Sequence, residues 1–155
     1  MSLLSKKINE MISGERNPYD TVIQDVLKIK KDEKVLIIAN PATVEIAQGF
    51  FHAVNEVNAK PSLIFQNDKT SFDNAEPAVL AAIGSNPDAA LSISNIKLGK
   101  DPGATANPYK TEDGEEYPHI FDYLLDGKKT MRAVWTPGIT VDMLNRTACI
   151  DYAEL

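Results

Sequence analysis

Cysteine is nearly absent: Cys149 stands alone among 155 residues. That excludes an internal disulfide framework and fits a reducing compartment, so a cytoplasmic location is expected. Histidine is scarce too. His52 and His119 are the whole set, and neither lies in a His-Glu-x-x-His or similar ligand spacing. No apolar run approaches the length of a membrane span, so no membrane partner is expected. The N-terminus lacks the apolar core and cleavage site of a secretory signal. Basic stripes are missing as well: the formal net charge is −6, and Lys28, Lys30, Lys31 and Lys34 are interleaved with Asp25, Asp32 and Glu33. Such a cluster reads as a solvated helix end and turn, and no nucleic-acid partner is expected.

Catalytic and phosphate-binding signatures are also missing. There is no Gly-x-Ser-x-Gly elbow, and Cys149, between Ala148 and Ile150, reads as a small buried hydrophobe. The turn after the first apolar run, Asn40-Pro41-Ala42-Thr43, has no Gly-x-Gly-x-x-Gly fingerprint. Gly99-Lys100-Asp101-Pro102-Gly103-Ala104-Thr105 holds P-loop residue types in the wrong order. Glu112, Asp113, Glu115 and Glu116 form an acidic loop tip that reads as a solvated turn. His52, beside the apolar stripe of a helix, reads as a packed or surface histidine. No catalytic, cofactor-binding or metal-ligating residue is therefore assigned to this chain.

What the sequence does hold is alternation. The composition, 43% hydrophobic and 25% charged, suits one α/β domain without staples. Residues 18–30 carry helical apolar spacing, and residues 35–39 are a continuous apolar run of the kind covered on both faces. Residues 43–58 place Ala47, Phe50, Phe51, Val54 and Val57 on one stripe of a helix. Strands are expected at 62–65, 88–94 and 131–135, and a short helix at 76–83. This order predicts a mainly parallel open sheet, doubly wound with helices on both faces, of Rossmann or flavodoxin-like type. Residues 95–119, rich in Gly and Pro, are expected to form one long loop leaving the carboxyl end of the third strand, the edge where such sheets bind ligands.

Beyond the fourth strand, Thr136-Pro137-Gly138-Ile139-Thr140 reads as a turn into a helix cap, with a helical run over 141–146. Asp151 and Glu154 then have the spacing of a new helix start, with one residue left. The expectation is that residues 1–155 form a single α/β domain, the N-terminal part of a longer two-domain protein.

Two segments carry a family resemblance. Lys34-Val35-Leu36-Ile37-Ile38 before a proline turn and helix, and Pro137-Gly138-Ile139-Thr140-x-x-Met143-x-x-Arg146 followed by Asp151-Tyr152, resemble the N-terminal half of aminopeptidase T-type leucyl aminopeptidases. A dihydroxypyridine dioxygenase group is similar to these. The resemblance implies a dimeric, metal-dependent exopeptidase whose two divalent metals are bound by Glu, His, Asp and Tyr in a C-terminal catalytic domain of the same protein. None of those ligands maps onto this chain. It further implies that this half walls the substrate cleft, with Trp135, Arg146, His119 and Lys100 as the cleft or domain-interface candidates. Trp135 is nevertheless expected to pack in the core, given its apolar area, and Arg146 serves equally as a surface ion pair. The 95–119 loop matches no motif of that family, which leaves room for a substrate other than a peptide. Two other readings remain: a free-standing small-ligand-binding module, and a dimerisation module.

Overall fold

The computed structural model describes residues 17–136. The 137–152 motif, Arg146, Cys149 and the start signal at Asp151 lie outside the described residues.

Four strands form one parallel sheet. They are β1 (Lys34–Ala39), β2 (Lys60–Phe65), β3 (Ala89–Ile93) and, last among the described residues, β6 (Arg132–Trp135), in the spatial order β2-β1-β3-β6. This is the expected doubly wound α/β architecture. The runs predicted it because β1 and β3 are central: all five residues of β3, and all of β1 after Lys34, are buried. A strand between two layers has no solvent side, so it reads as a continuous apolar run.

Helices cover both faces. On one lie α1 (Pro18–Thr21, continued by a π-helical turn Val22–Val26) and α2 (Val44–Glu56), packed on Val35, Ile37, Leu91 and Ile93. The T-shaped contact of Tyr19 with Phe50, 5.1 Å between centroids, joins the two helices. Gly49 leaves the space for it, since an added Cβ would stand 2.3 Å from the Tyr19 ring. On the other face α3 (Pro77–Gly84) and α5 (Ile120–Asp122, continued by a π-helical turn Tyr123–Gly127) bury Val79, Ile83, Phe121 and Leu124 against Leu36, Ile38 and Ala90. Each such side chain contributes about 1.5–3 kcal/mol of burial.

The two π turns end alike. Leu27 N–H reaches Val22 O and Lys128 N–H reaches Tyr123 O, at 2.9 and 2.7 Å. Each is followed by a left-handed lysine, Lys28 or Lys129. The helix expected over 18–30 therefore stops earlier, where this turn redirects the chain towards β1.

The 95–119 segment is not one loop. It contains α4 (Pro102–Ala106) and a small antiparallel hairpin, β4 (Tyr109–Lys110) with β5 (Glu116–Tyr117). The acidic tip is the hairpin turn: Gly114 has φ +89°, Thr111 bonds Asp113, and all four carboxylate residues are exposed.

The two edges of the sheet differ. Lys60 and Gln66 N–H donate to Glu33 and Ala39 O, so the even positions of β2 face β1 and Pro61 faces outward, where a missing donor is tolerated. In β6, Arg132 and Thr136 N–H donate to Asp88 and Ser92 O, which leaves the Ala133 and Trp135 donors on the outer side. No described helix is long and apolar enough to cross a membrane.

Candidate functional site: a cleft at the carboxyl edge

In sheets wound this way the ligand crevice opens where the chain reverses direction, between the carboxyl ends of β1 and β3. Here a side chain fills it. Asn40, fully buried at the end of β1, donates from Nδ2 to Gln66 O at 2.8 Å and accepts Asn95 N–H on Oδ1 at 2.6 Å. Thr43, at the third position of the turn Pro41–Thr43, accepts Asn40 N–H at 3.0 Å, and its hydroxyl lies 2.8 Å from Ile93 O. The polar side chains at this strand end, Asn40 and Thr43, are committed to bonds within the protein.

The open space lies one strand further along. Two loops, 66–76 after β2 and 95–101 after β3, run together: Lys97 N–H donates to Lys69 O, Lys100 N–H to Asp73 O and Ala75 N–H to Lys100 O, at 3.1, 2.9 and 2.9 Å. Gln66 cross-links them, donating to Leu98 O at 2.7 Å and accepting Glu76 N–H at 3.0 Å. Their approach requires Gly99. Its φ is +103°, and a Cβ there would sit 2.5 Å from Ala75 N.

Behind them, buried Asp101 caps two helices with one carboxylate: Oδ1 accepts Ala104 N–H of α4 at 3.2 Å, and Oδ2 accepts Ile120 N–H of α5 at 3.0 Å. His119 caps α5 as well. Its Nδ1 accepts Phe121 N–H at 3.1 Å and its Nε2 lies 2.9 Å from Gly99 O. The pair fits the tautomer with hydrogen on Nε2, so this ring pins the 99–101 loop to α5.

These elements enclose a cleft of about 440 Å³. Leu98, Phe121 and Leu125 supply its apolar lining, and Lys97, Lys100, Asp122 and Trp135 its charged and aromatic groups; Thr70, Ser71 and His119 also line it. Trp135 is 52% exposed, with Lys97 Nζ 5.5 Å from its ring centroid. The expectation of core packing for Trp135 is thus corrected: it ends an edge strand beyond the last helix, where nothing covers it among the described residues. Lys69 is held by Glu76 at 2.7 Å, whereas Lys97 and Lys100 have no carboxylate partner among the described residues. Asp73 is held below the usual carboxylate range by its hydrogen bonds from Thr70, with Lys69 and Lys100 adding to the effect.

Three of the four sequence candidates, Lys100, His119 and Trp135, line this one cleft; Arg146 lies outside the described residues. Lys97, Thr70, Ser71, Phe121 and Leu125 were not singled out in sequence. The only local signal among them is the apolar spacing Ile120, Phe121, Leu124 and Leu125, a short helical stripe. His52 lies exposed on α2 beside Phe51. The arrangement offers ammonium groups and an aromatic face over an apolar lining, a binding chemistry. Comparison with protein-family models, curated proteins and solved structures found no match to this chain.

Proposed function

We propose that this chain is the non-catalytic, cleft-walling domain of a metal-dependent leucyl aminopeptidase-like hydrolase. In this reading the proteolytic chemistry and its two divalent metals belong to a second domain of the same protein, and the enzyme is a homodimer. The motif resemblance at 34–38 and 137–152 supports it. The observation that carries it is an apolar rim: Phe65, Phe72, Ile96 and Trp135 are all exposed, Phe72 at 86%, and all lie at or beyond the carboxyl ends of the strands. Large apolar side chains gathered on one edge mark a surface meant for contact. The reading assigns the metal ligands to the second domain, as the resemblance implies. When bound, such metals polarise the scissile carbonyl and activate water; this domain would position the substrate.

The test is to read the gene past the Leu155 codon and assay both lengths on leucyl-p-nitroanilide with added zinc, cobalt or manganese. The reading expects a continuing frame rich in Glu, His, Asp and Tyr, chelator-sensitive hydrolysis by the longer protein, and none by the 155-residue chain. A native stop codon, or turnover by the 155 residues alone, overturns it. The cleft itself favours a second reading, a free-standing small-ligand-binding module, which expects that stop codon and thermal stabilisation by a metabolite.

A further inference from the structure

We propose that the cleft at the carboxyl end of β6 is a binding site for a small organic anion. Its carboxylate or phosphate group is held between Lys97 and Lys100, and its planar or apolar body lies against Trp135 and the Leu98–Phe121–Leu125 lining. The proposal deepens the reading above by naming a ligand class; it rests on that reading only for the name of the substrate, and stands if no second domain exists.

Charge sets the cleft apart from the rest of the chain. Acidic residues outnumber basic ones by 22 to 16 in the whole chain, yet the cleft holds two lysines against one carboxylate, Asp122. Of the three lysines on the two docked loops, Lys69 is paired with Glu76; Lys97 and Lys100 make no close ion pair among the described residues, although the Asp73 carboxylate lies near enough to feel the charge of Lys100.

Their placement is built rather than incidental. Gly99, between Leu98 and Lys100, has a conformation that no other residue adopts without strain, and the backbone bonds of Lys97 and Lys100 to the 66–76 loop fix where both stems leave the chain. His119 and Asp101 then lock the far side of the same loop to α5. The apolar lining completes the chemistry. A hydrated inorganic ion gains nothing from Leu98, Phe121 and Leu125, whereas a ligand with a ring or alkyl body loses apolar surface to them. Two ammonium groups beside an apolar lining are worth more to a ligand than the same groups on an open surface, because the ligand displaces part of the solvent that screens them. Trp135 offers its π face, on which an aromatic ligand stacks beside the Lys97 ammonium.

Trp135 is also the only tryptophan, so tryptophan emission, excited selectively beyond the tyrosine absorption, reports on this cleft. The experiment titrates the metal-free 155-residue chain with phenylacetate and phenyl phosphate, and with neutral phenylacetamide and cationic phenethylamine as controls. Amide chemical shifts map the contact. The expected result is a saturable Trp135 response to the anions, with shifts centred on residues 97–100, 121 and 125. Affinity should drop about tenfold, equivalent to about 1.4 kcal/mol, for the neutral isostere and again for K97Q/K100Q. Tighter binding of one anion names the group as carboxylate or phosphate. No saturable response, equal binding of phenylacetamide, unchanged binding by K97Q/K100Q, or shifts centred elsewhere each overturn the proposal. Both lysines are exposed and outside the core, so K97Q/K100Q should keep the parent Tm. Because no metal and no peptide bond enter this measurement, its failure is distinct from a failure of the aminopeptidase reading.

Discussion

Asn40 has no exposed surface at the carboxyl end of β1, and both ends of its amide are in use: Nδ2 on Gln66 O, Oδ1 on Asn95 N–H. One side chain thereby joins the strand end to the loops that follow both neighbouring strands. Asn40→Ala leaves a carbonyl and an N–H without partners in a site that water does not readily enter. At about 1–3 kcal/mol for each unsatisfied group, we expect a loss of about 2–4 kcal/mol, read from the urea midpoint at unchanged slope. Sequence gave the position as a strand breaker and helix entry, because Asn-Pro is a local signal. It gave no sign of the long-range bonds, which depend on residues 26 and 55 positions away. Trp135 failed in the opposite sense. Its type argued for the core, but exposure is decided by whether a helix passes over the strand end.

Gly99 governs how the two loops that wall the cleft dock. Gly99→Ala sets a methyl against the backbone of Ala75, and a left-handed backbone there makes matters worse. Neither neighbour is a flexible side-chain tip, so the loops must part. The expected outcome is a destabilisation of about 1–3 kcal/mol together with shifted Trp135 emission. A variant that changes stability but leaves that emission untouched would show that the loops do not set the cleft.

Three further elements meet at Arg132 of β6. Its guanidinium binds Glu33 through both Nη atoms, at 2.6 and 3.0 Å, while Nε donates to Leu27 O at the end of α1 at 2.8 Å. The Arg132 hydrogen bond is the chief reason the Glu33 carboxyl is held below its ordinary value of 4.5, with Lys30 N–H assisting. A depressed carboxyl stabilises the fold above that ordinary value and ceases to do so as pH falls through its lowered one. Wild-type protein should therefore lose stability relative to Glu33→Gln between pH 4.5 and the acid limb. The effect stays near or below about 1 kcal/mol for a partly exposed pair, and paired urea titrations at pH 7 and pH 3.5 would measure it.

At this scale the strands and long helices were legible, since β1, β3 and α2 repeat their pattern over enough residues to be read. Helix α5 was not, because its α-helical part is Ile120–Asp122 before a π turn. The hairpin within 95–119, whose strands are two residues each, gives no period to detect. Lys100 and His119 could be named from their place in that segment. Lys97, Thr70 and Ser71 could not, because what unites them is the docking of one loop's backbone on another.

Among the described residues, four of the exposed apolar side chains, Phe65, Phe72, Ile96 and Trp135, lie at or beyond the carboxyl ends of the strands. Quenching of Trp135 by acrylamide should be readily measurable in the 155-residue chain, intermediate between a buried tryptophan and free indole, because the ring is 52% exposed. In a longer protein whose second domain covers this edge, the quenching constant should fall several-fold; an unchanged constant would separate the rim from any domain contact. The sheet's two sides carry a different implication, for self-association. Pro61 denies β2 one outward donor, but Leu63 and Phe65 keep theirs, as Ala133 and Trp135 do on β6, so each side retains two donors. Two copies meeting β6 to β6 about a twofold axis form a closed contact, because the operation places the same strand on both sides of it. Head-to-tail stacking, β6 of one copy on β2 of the next, is what an open fibre would require. Pro61 removes one rung from that pairing and so weakens such growth.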